Sequence, residues 1–360
     1  MGELKLLKGN EAIAEAAIRA GVDAYFGYPI TPQSEVIEYF MAEKPHERTG
    51  MVVLQAESEI AAINMVYGAA ASGKKAMTSS SSPGISLKME GISYMAGAEL
   101  PGVILNVVRG GPGLGTIQPS QADYFQATKG GGHGDYRLIV LAPSSVQEMA
   151  DFVKTAFDLS FKYRNPVMIL SDGVIGQMME KVELSAPVPR RTDEELIREC
   201  PWATTGKPAG RERNIITSLN LDPAKQEQHN VHLQEKYRQI EASEVRFEKF
   251  QCDDAEYLLM AYGSSARITQ KSVQLARAKG IKAGLLRPIT LFPFPKIEVQ
   301  KMAKQVKGIL NIEMNAGQMV EDVRLAVAGK IPVEHHGRMG GMLPSPEEIV
   351  TVLEKKLIGG

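Results

Sequence analysis

Val22-Asp23-Ala24-Tyr25-Phe26-Gly27-Tyr28-Pro29-Ile30-Thr31-Pro32 carries a short apolar strand into a turn whose backbone is stiffened by the prolines flanking Ile30-Thr31. A second turn of the same kind follows Val52-Val53-Leu54, where Gln55-Ala56-Glu57-Ser58-Glu59-Ile60-Ala61-Ala62 sets carboxylates on the first turn of an alanine-rich helix. A strand that ends in a stiff turn and re-emerges as a helix is the repeating half of a βαβ unit. The same alternation extends outward in both directions. Upstream, Asn10 is expected to cap a helix with Ala12, Ile13, Ala16, Ala17 and Ala20 on one face, ended by Gly21 in a left-handed conformation. Downstream, strands are expected at Lys75–Thr78, Gly102–Val108, Leu138–Leu141 and Pro166–Leu170, and Ser145-Val146-Gln147-Glu148 is a capping box opening a helix toward Tyr163. From Leu4 to Leu170 the pattern therefore spells a parallel α/β sheet.

The alternation breaks between Ser185 and Gln251. Pro187-Val188-Pro189-Arg190-Arg191, Gly206-Lys207-Pro208-Ala209-Gly210-Arg211 and the charged, helix-like stretch Gln234–Phe250 read as a connector over a domain surface. It resumes at Tyr257-Leu258-Leu259-Met260-Ala261, passes Gly284-Leu285-Leu286-Arg287 and reaches Gly308-Ile309-Leu310-Asn311-Ile312. With 360 residues, the expectation is two doubly wound α/β domains, over 1–184 and 252–360, joined by a connector over 185–251.

Charged residues make up 23% of the chain, 41 basic against 42 acidic, so no field points to nucleic acid or an anionic membrane as partner. Met1–Lys8 carries no apolar leader and no stretch reaches membrane-spanning length, which places the expectation in the cytoplasm. The only cysteines, Cys200 and Cys252, exclude a disulfide scaffold and fall short of the thiolates an iron–sulfur cluster needs, so electrons from any redox chemistry must leave through another protein. His229-x-x-His232 and His335-His336 lack the cysteines or the H-E-x-x-H helix of a zinc site and read as exposed loop histidines; no metal ligands are assigned.

Three phosphate-loop lookalikes fail on detail. Gly68–Lys74 has Lys75 where a P-loop needs Ser or Thr, and Gly73 reads as a helix C-cap. Gly111-Pro112-Gly113-Leu114-Gly115-Thr116 has Thr116 in place of the third glycine of a dinucleotide fingerprint. Ser171-Asp172-Gly173 is similar to the opening of the magnesium-diphosphate motif of thiamine enzymes, but no Asn follows before Asn214 to complete it.

Tyr28–Pro32, Glu57-Ser58-Glu59 with its helix ending at Gly73, Glu99-Leu100-Pro101-Gly102-Val103 leading to Arg109, Pro143–Glu148, and Leu286-Arg287-Pro288 with Pro293-Phe294-Pro295 form an ordered set. In that order they resemble the alpha subunit of 2-oxoacid:ferredoxin oxidoreductases, of the branched-chain 2-oxoacid type. The resemblance implies a thiamine-diphosphate pyrimidine-binding domain at the N-terminus and a transketolase C-terminal-like domain after the connector. It makes Glu59 the catalytic carboxylate, hydrogen-bonded to the cofactor's aminopyrimidine ring, with Pro29 beside it as a cofactor contact. A carboxylate there also complements a helix N-terminus capped by Ser58, and Glu57 points elsewhere. Thr31 and Arg109 become substrate contacts, a hydroxyl near the keto group and a guanidinium able to grip a carboxylate through two bonds. Thr31-Pro32 also fits an N-cap followed by a first-turn proline, and an Arg after a strand also fits a solvated charge. Gly110–Gly115 and Gly130–Gly132 read as loops beside the pocket.

The function so implied is oxidative decarboxylation of a 2-oxoacid to acyl-coenzyme A and CO2, with electrons passed to ferredoxin. The expected substrate is 3-methyl-2-oxobutanoate, with 2-oxoglutarate the alternative. Thiamine diphosphate would be shared with a diphosphate-binding beta subunit, while magnesium and iron–sulfur clusters sit on partners that include a gamma subunit and a ferredoxin-like delta subunit. Coenzyme A is the co-substrate, and external ferredoxin accepts the electrons. A non-catalytic assembly subunit, and a transketolase-like component needing no ferredoxin, are the readings of other classes.

Overall fold

Runs of Val, Ile and Leu too short for a buried helix form strands, and the alanine-rich or amphipathic stretches between them form helices, in residues 3–207 and 210–359, which the computed structural model describes. Met1 and Gly2 of the N-terminal segment, Pro208 and Ala209 of the linker-like run, and Gly360 lie outside these residues. The strands are β1 (Glu3–Lys8), β2 (Ala24–Gly27), β3 (Val52–Gln55), β4 (Ala76–Ser80), β5 (Gly102–Val108), β6 (Ile139–Leu141) and β7 (Pro166–Asp172). They continue with β8 (Met179–Leu184), β9 (Phe247–Phe250), β10 (Tyr257–Met260), β11 (Ala283–Pro288), β12 (Thr290–Phe292), β13 (Gly308–Glu313) and β14 (Val333–Gly337). The helices are α1 (Gly9–Arg19), α2 (Ser34–Glu43), α3 (Pro45–Thr49), α4 (Glu59–Ala71), α5 (Pro83–Gly97), α6 (Tyr124–Thr128) and α7 (Val146–Tyr163). After them come α8 (Gly173–Gln177), α9 (Asp193–Glu199), α10 (Pro223–Ser243), α11 (Gly263–Ala278), α12 (Lys296–Met302), α13 (Met319–Val327) and α14 (Pro346–Leu353).

The larger sheet has seven strands in the order β12-β6-β7-β5-β4-β2-β3, all parallel except β12, which runs antiparallel to β6. Strand side chains alternate between faces, so opposite parity on β5 reports the two layers. A Cβ on Gly102 would meet Met95 of α5 and Val66 of α4, whereas the Val107 side chain lies against the Gly176 and Asn10 side of α8 and α1. The sheet is thus covered on both faces, as an α/β doubly wound sheet requires. A five-stranded sheet of order β14-β13-β10-β11-β9, antiparallel only at β9, forms the second layer system. β1 and β8 pair as a separate antiparallel ribbon.

Several local expectations are revised. Asn10 does not cap α1: Lys8 holds the cap position, Glu11 accepts the Lys8 amide, and the Asn10 amide instead donates to the Pro32 carbonyl at 2.8 Å and to Glu35 at 3.0 Å. Thr31 is not a helix cap either, because α2 starts at Ser34 with Gln33 before it. Ser145 caps α7 as expected, but Glu148 turns from the box to accept the Ser144 amide at 2.7 Å and the Arg287 guanidinium through both oxygens. His335 and His336 lie on β14, half-buried, not in an exposed loop, because β14 pairs with the buried β13. The charged stretch Gln234–Phe250 divides: its first part ends α10, which begins already at Pro223, and its last residues form β9. α10 is held at the C-terminus of α5, where His229 meets the Gly97 carbonyl and His232 and Lys236 meet Glu99.

Candidate active site

In the larger sheet the chain leaves β2 first to one side, to β3, and then crosses to β4 on the other, so the strand order reverses at β2 and β4. Ligands of open α/β sheets bind at such a switch point, outside the carboxyl ends of the strands. All the candidate residues lie there: Pro29 and Thr31 after β2, Glu59 after β3, Arg109 after β5. Between them, after β4, runs Ser81-Ser82-Pro83-Gly84, whose serines and Pro-Gly step mark a turn in the sequence and whose role sequence reasoning missed.

Glu59 is the first residue of α4, and Ser58 caps that helix by accepting the Ala61 amide at 3.2 Å. The residue Glu59 is only 6% exposed, and among the described residues no hydrogen bond or ion pair reaches its carboxylate. A carboxylate on a largely buried residue, with no partner among the described residues, is free to take a hydrogen bond from a group outside the chain. The space for it is made by Gly84, where a Cβ would stand 2.6 Å from Glu59 Oε1 and 2.1 Å from Ser80 Oγ. Ser80 Oγ is likewise buried and unpartnered. One turn farther along α5, the fully buried Lys88 donates to the Glu59 backbone carbonyl at 3.3 Å and to Thr78 Oγ1 at 3.1 Å. Sequence reasoning missed Lys88 too, although it interrupts the apolar stripe Ile85, Met89, Ile92 and Met95.

Arg109 is buried and joins three loops. Its Nη1 donates to the Thr31 carbonyl at 3.0 Å, its Nη2 to the Leu114 carbonyl at 3.1 Å, and its backbone N–H to Ser82 Oγ at 3.1 Å. Nε has no partner, and no carboxylate among the described residues lies within ion-pair distance, so the charge is not neutralised inside the chain. Ser82 has a φ of 26°, a strained value for a residue with a Cβ, and is held by the Asn106 side chain, which accepts its amide at 3.2 Å. Thr31 and Arg109 are thus brought together through the Thr31 backbone, whereas Pro29 and Thr31 expose their side chains on the turn; Gly84, which lies against Glu59, and Ser82, which binds Arg109, share the segment after β4.

Arg109 opens into a cavity of about 920 Å³ bounded by Ser82, Pro83, Gly110–Gly113 and Asp123 on one side and by Met314–Ala316, Gln318 and Met339 on the other. In the second wall Met314–Gln318 follow β13 and Met339 follows β14; the first of these segments is fastened by Gln121, which accepts the Met314 amide and the Ser265 hydroxyl and donates to the Tyr262 carbonyl. Asp123 precedes α6 without capping it. Gln318 accepts the Phe125 amide instead, and Asp123 receives Asn106 Nδ2 at 2.8 Å. Burial raises the Asp123 carboxyl above the ordinary aspartate value, against the hydrogen bonds from Asn106 and Ser82. No group of residues among those described could hold a metal ion, and no helix among them is long and apolar enough to cross a membrane.

Two family models match the chain: "Pyruvate flavodoxin/ferredoxin oxidoreductase, thiamine diP-bdg" over residues 15–249, and "Pyruvate:ferredoxin oxidoreductase core domain II" over residues 255–349. The ketoisovalerate oxidoreductase subunit VorB of Methanothermobacter thermautotrophicus is 52% identical over 356 residues, 98% of this chain and 96% of that protein. The 2-oxoglutarate synthase subunit KorA of the same organism is 37% identical over 381 residues, 99% of each. Among solved structures, the 2-oxoglutarate:ferredoxin oxidoreductase from Magnetococcus marinus, with 2-oxoglutarate, coenzyme A and succinyl-CoA bound, superposes with a TM-score of 0.85 at 27% identity. That match spans 99% of this chain and 66% of the longer one. A split-gene transketolase shares the fold at a TM-score of 0.60 and 13% identity, over 98% of both chains.

Proposed function

The chain belongs to the 2-oxoacid:ferredoxin oxidoreductase family, and on that premise we propose that it is the subunit which binds 3-methyl-2-oxobutanoate and the pyrimidine half of thiamine diphosphate. The observation that carries the substrate reading is the charge of the cavity. Arg109 is the one cation among its described lining residues and pairs with no carboxylate among them; Asp123, whose carboxyl burial raises, lines the same cavity, while Pro83, Pro112, Ala122, Met314, Ala316 and Met339 supply apolar wall. One guanidinium matches one carboxylate, and apolar wall matches a branched alkyl chain. A second carboxylate, as in 2-oxoglutarate, would need a cation that only a partner subunit could bring. The higher identity to the ketoisovalerate relative than to the 2-oxoglutarate relative points the same way.

The residues fit the cofactor. When bound, thiamine diphosphate supplies the carbanion that attacks the keto carbon and holds the electrons left by decarboxylation. Glu59, largely buried and without a side-chain partner among the described residues, would accept a hydrogen bond from the ring, with Pro29 on the neighbouring turn shaping the pocket. Arg109 would grip the substrate carboxylate, and the Thr31 hydroxyl would lie toward its keto oxygen. The diphosphate and magnesium belong to a beta subunit in this reading, the iron–sulfur clusters to a ferredoxin-like delta subunit, and a gamma subunit completes the complex. Coenzyme A takes the acyl group, external ferredoxin takes the electrons, and the complex works in the cytoplasm. The division at residues 184 and 252 is part of the same proposal, with the first unit carrying the pyrimidine site.

The test is anoxic reduction of a low-potential acceptor by this chain coexpressed with its partner subunits. Coenzyme-A-dependent reduction is expected with 3-methyl-2-oxobutanoate, at a kcat/KM at least about tenfold above that with 2-oxoglutarate. Preference for 2-oxoglutarate would overturn the substrate assignment.

A further inference from the structure

Gly84 and Lys88 stand one turn apart on the same face of α5 and present to Glu59 first a space and then a charge. Lys88 is fully buried, and its partners are the Glu59 carbonyl and the Thr78 hydroxyl, so one of its three donors has no partner among the described residues. Keeping an ammonium there is costly unless its charge is used, since Leu or Met would fill the stripe without penalty. We propose that Lys88 is a positioning residue for Glu59, fixing the first turn of α4, and with it the Glu59 side chain, through the Glu59 carbonyl. This rests on Glu59 being the cofactor carboxylate.

Burial lowers the Lys88 ammonium to about 8, and Glu59 pulls it back up. Glu59, from α4, is the charged group that acts on it; β4 faces it with Thr78, which carries no charge. Lys88 is therefore protonated below about pH 8 and loses its charge above it. The position of Glu59 and the rate that depends on it must then decline on the alkaline side through that proton.

Two measurements test the inference. In the full chain with 13Cε-labelled lysines, and with no cofactor present, the Lys88 resonance, assigned by its loss in K88M, should titrate at a lower pH in E59Q by about one unit. An unchanged midpoint would overturn the coupling. In the assembled complex, the wild type should lose turnover above about pH 8. K88R, whose charge persists, should lack that alkaline limb, and K88M should be slow throughout by about ten- to a hundredfold. A limb that survives unchanged in K88R would reject Lys88 as its source, a result a purely structural lysine would give. Loss of turnover in E59Q is a separate result, so failure of the Lys88 inference is distinguishable from failure of the Glu59 assignment.

Discussion

At the level of single residues, the site depends on what is missing as much as on what is present. Gly84 leaves room for the Ser80 hydroxyl and the Glu59 side chain, whose Oε1 and Cγ a Cβ would meet at 2.6 and 3.1 Å; all are side-chain atoms. Gly84→Ala should therefore fold, with stability within about 1 kcal/mol of wild type, because side-chain tips can yield where backbone could not. Turnover of the assembled complex should nevertheless fall by about a hundredfold, since a displacement of about 1 Å at a positioned group costs that much. Normal turnover in a well-folded Gly84→Ala complex would mean that Glu59 does not need this seat. Arg109 follows the same logic, with its guanidinium tied to the Thr31 and Leu114 carbonyls and no acid beside it.

At the level of elements, the turn after β2 is held from outside itself. The Pro32 carbonyl accepts from Asn10 of α1 at 2.8 Å and from Gln177, at the end of α8, at 2.9 Å, so helices packed on one face of the sheet fix a loop at its edge. Replacing Asn10 by Ala leaves that carbonyl one partner, so the stability cost should be about 1 kcal/mol. Amide hydrogen exchange should rise selectively over Tyr28–Pro32, and exchange unchanged there would contradict the tie. The elements themselves were largely legible: Gly21 and Gly73 have the positive φ expected of helix C-terminal glycines, and α7 runs from Val146 to Tyr163 as the capping serine indicates. The errors have a common cause. Asn10, Glu148 and the two histidines of β14 look local in sequence, but their partners are contributed by distant segments. Lys88 was readable as a charge inside an apolar stripe, whereas Gly84 needed coordinates, because only geometry reveals the carboxylate beside it.

At the level of the whole molecule, the C-terminal third does more than follow the first sheet. It supplies β12 to the edge of that sheet, and Met314–Gln318 to the wall of the cavity. The Ser264 hydroxyl binds Asp172 at 2.6 Å across the same junction. The parallel fold and the positions of Glu59, Thr31 and Arg109 at its carboxyl edge could be derived from periodicity and turn chemistry together with the family resemblance. The shared cavity could not, because nothing in the spacing of Ala122 and Gln318 indicates that they meet. The central claim is that this chain contributes a catalytic carboxylate and does not merely scaffold its partners. It is tested most directly by measuring coenzyme-A-dependent turnover of 3-methyl-2-oxobutanoate in complexes containing Glu59→Gln, with subunit assembly and thiamine diphosphate content determined on the same samples. The account predicts an assembled complex with turnover reduced by about a hundredfold or more; an assembled, cofactor-loaded complex turning over within about twofold of wild type would contradict it.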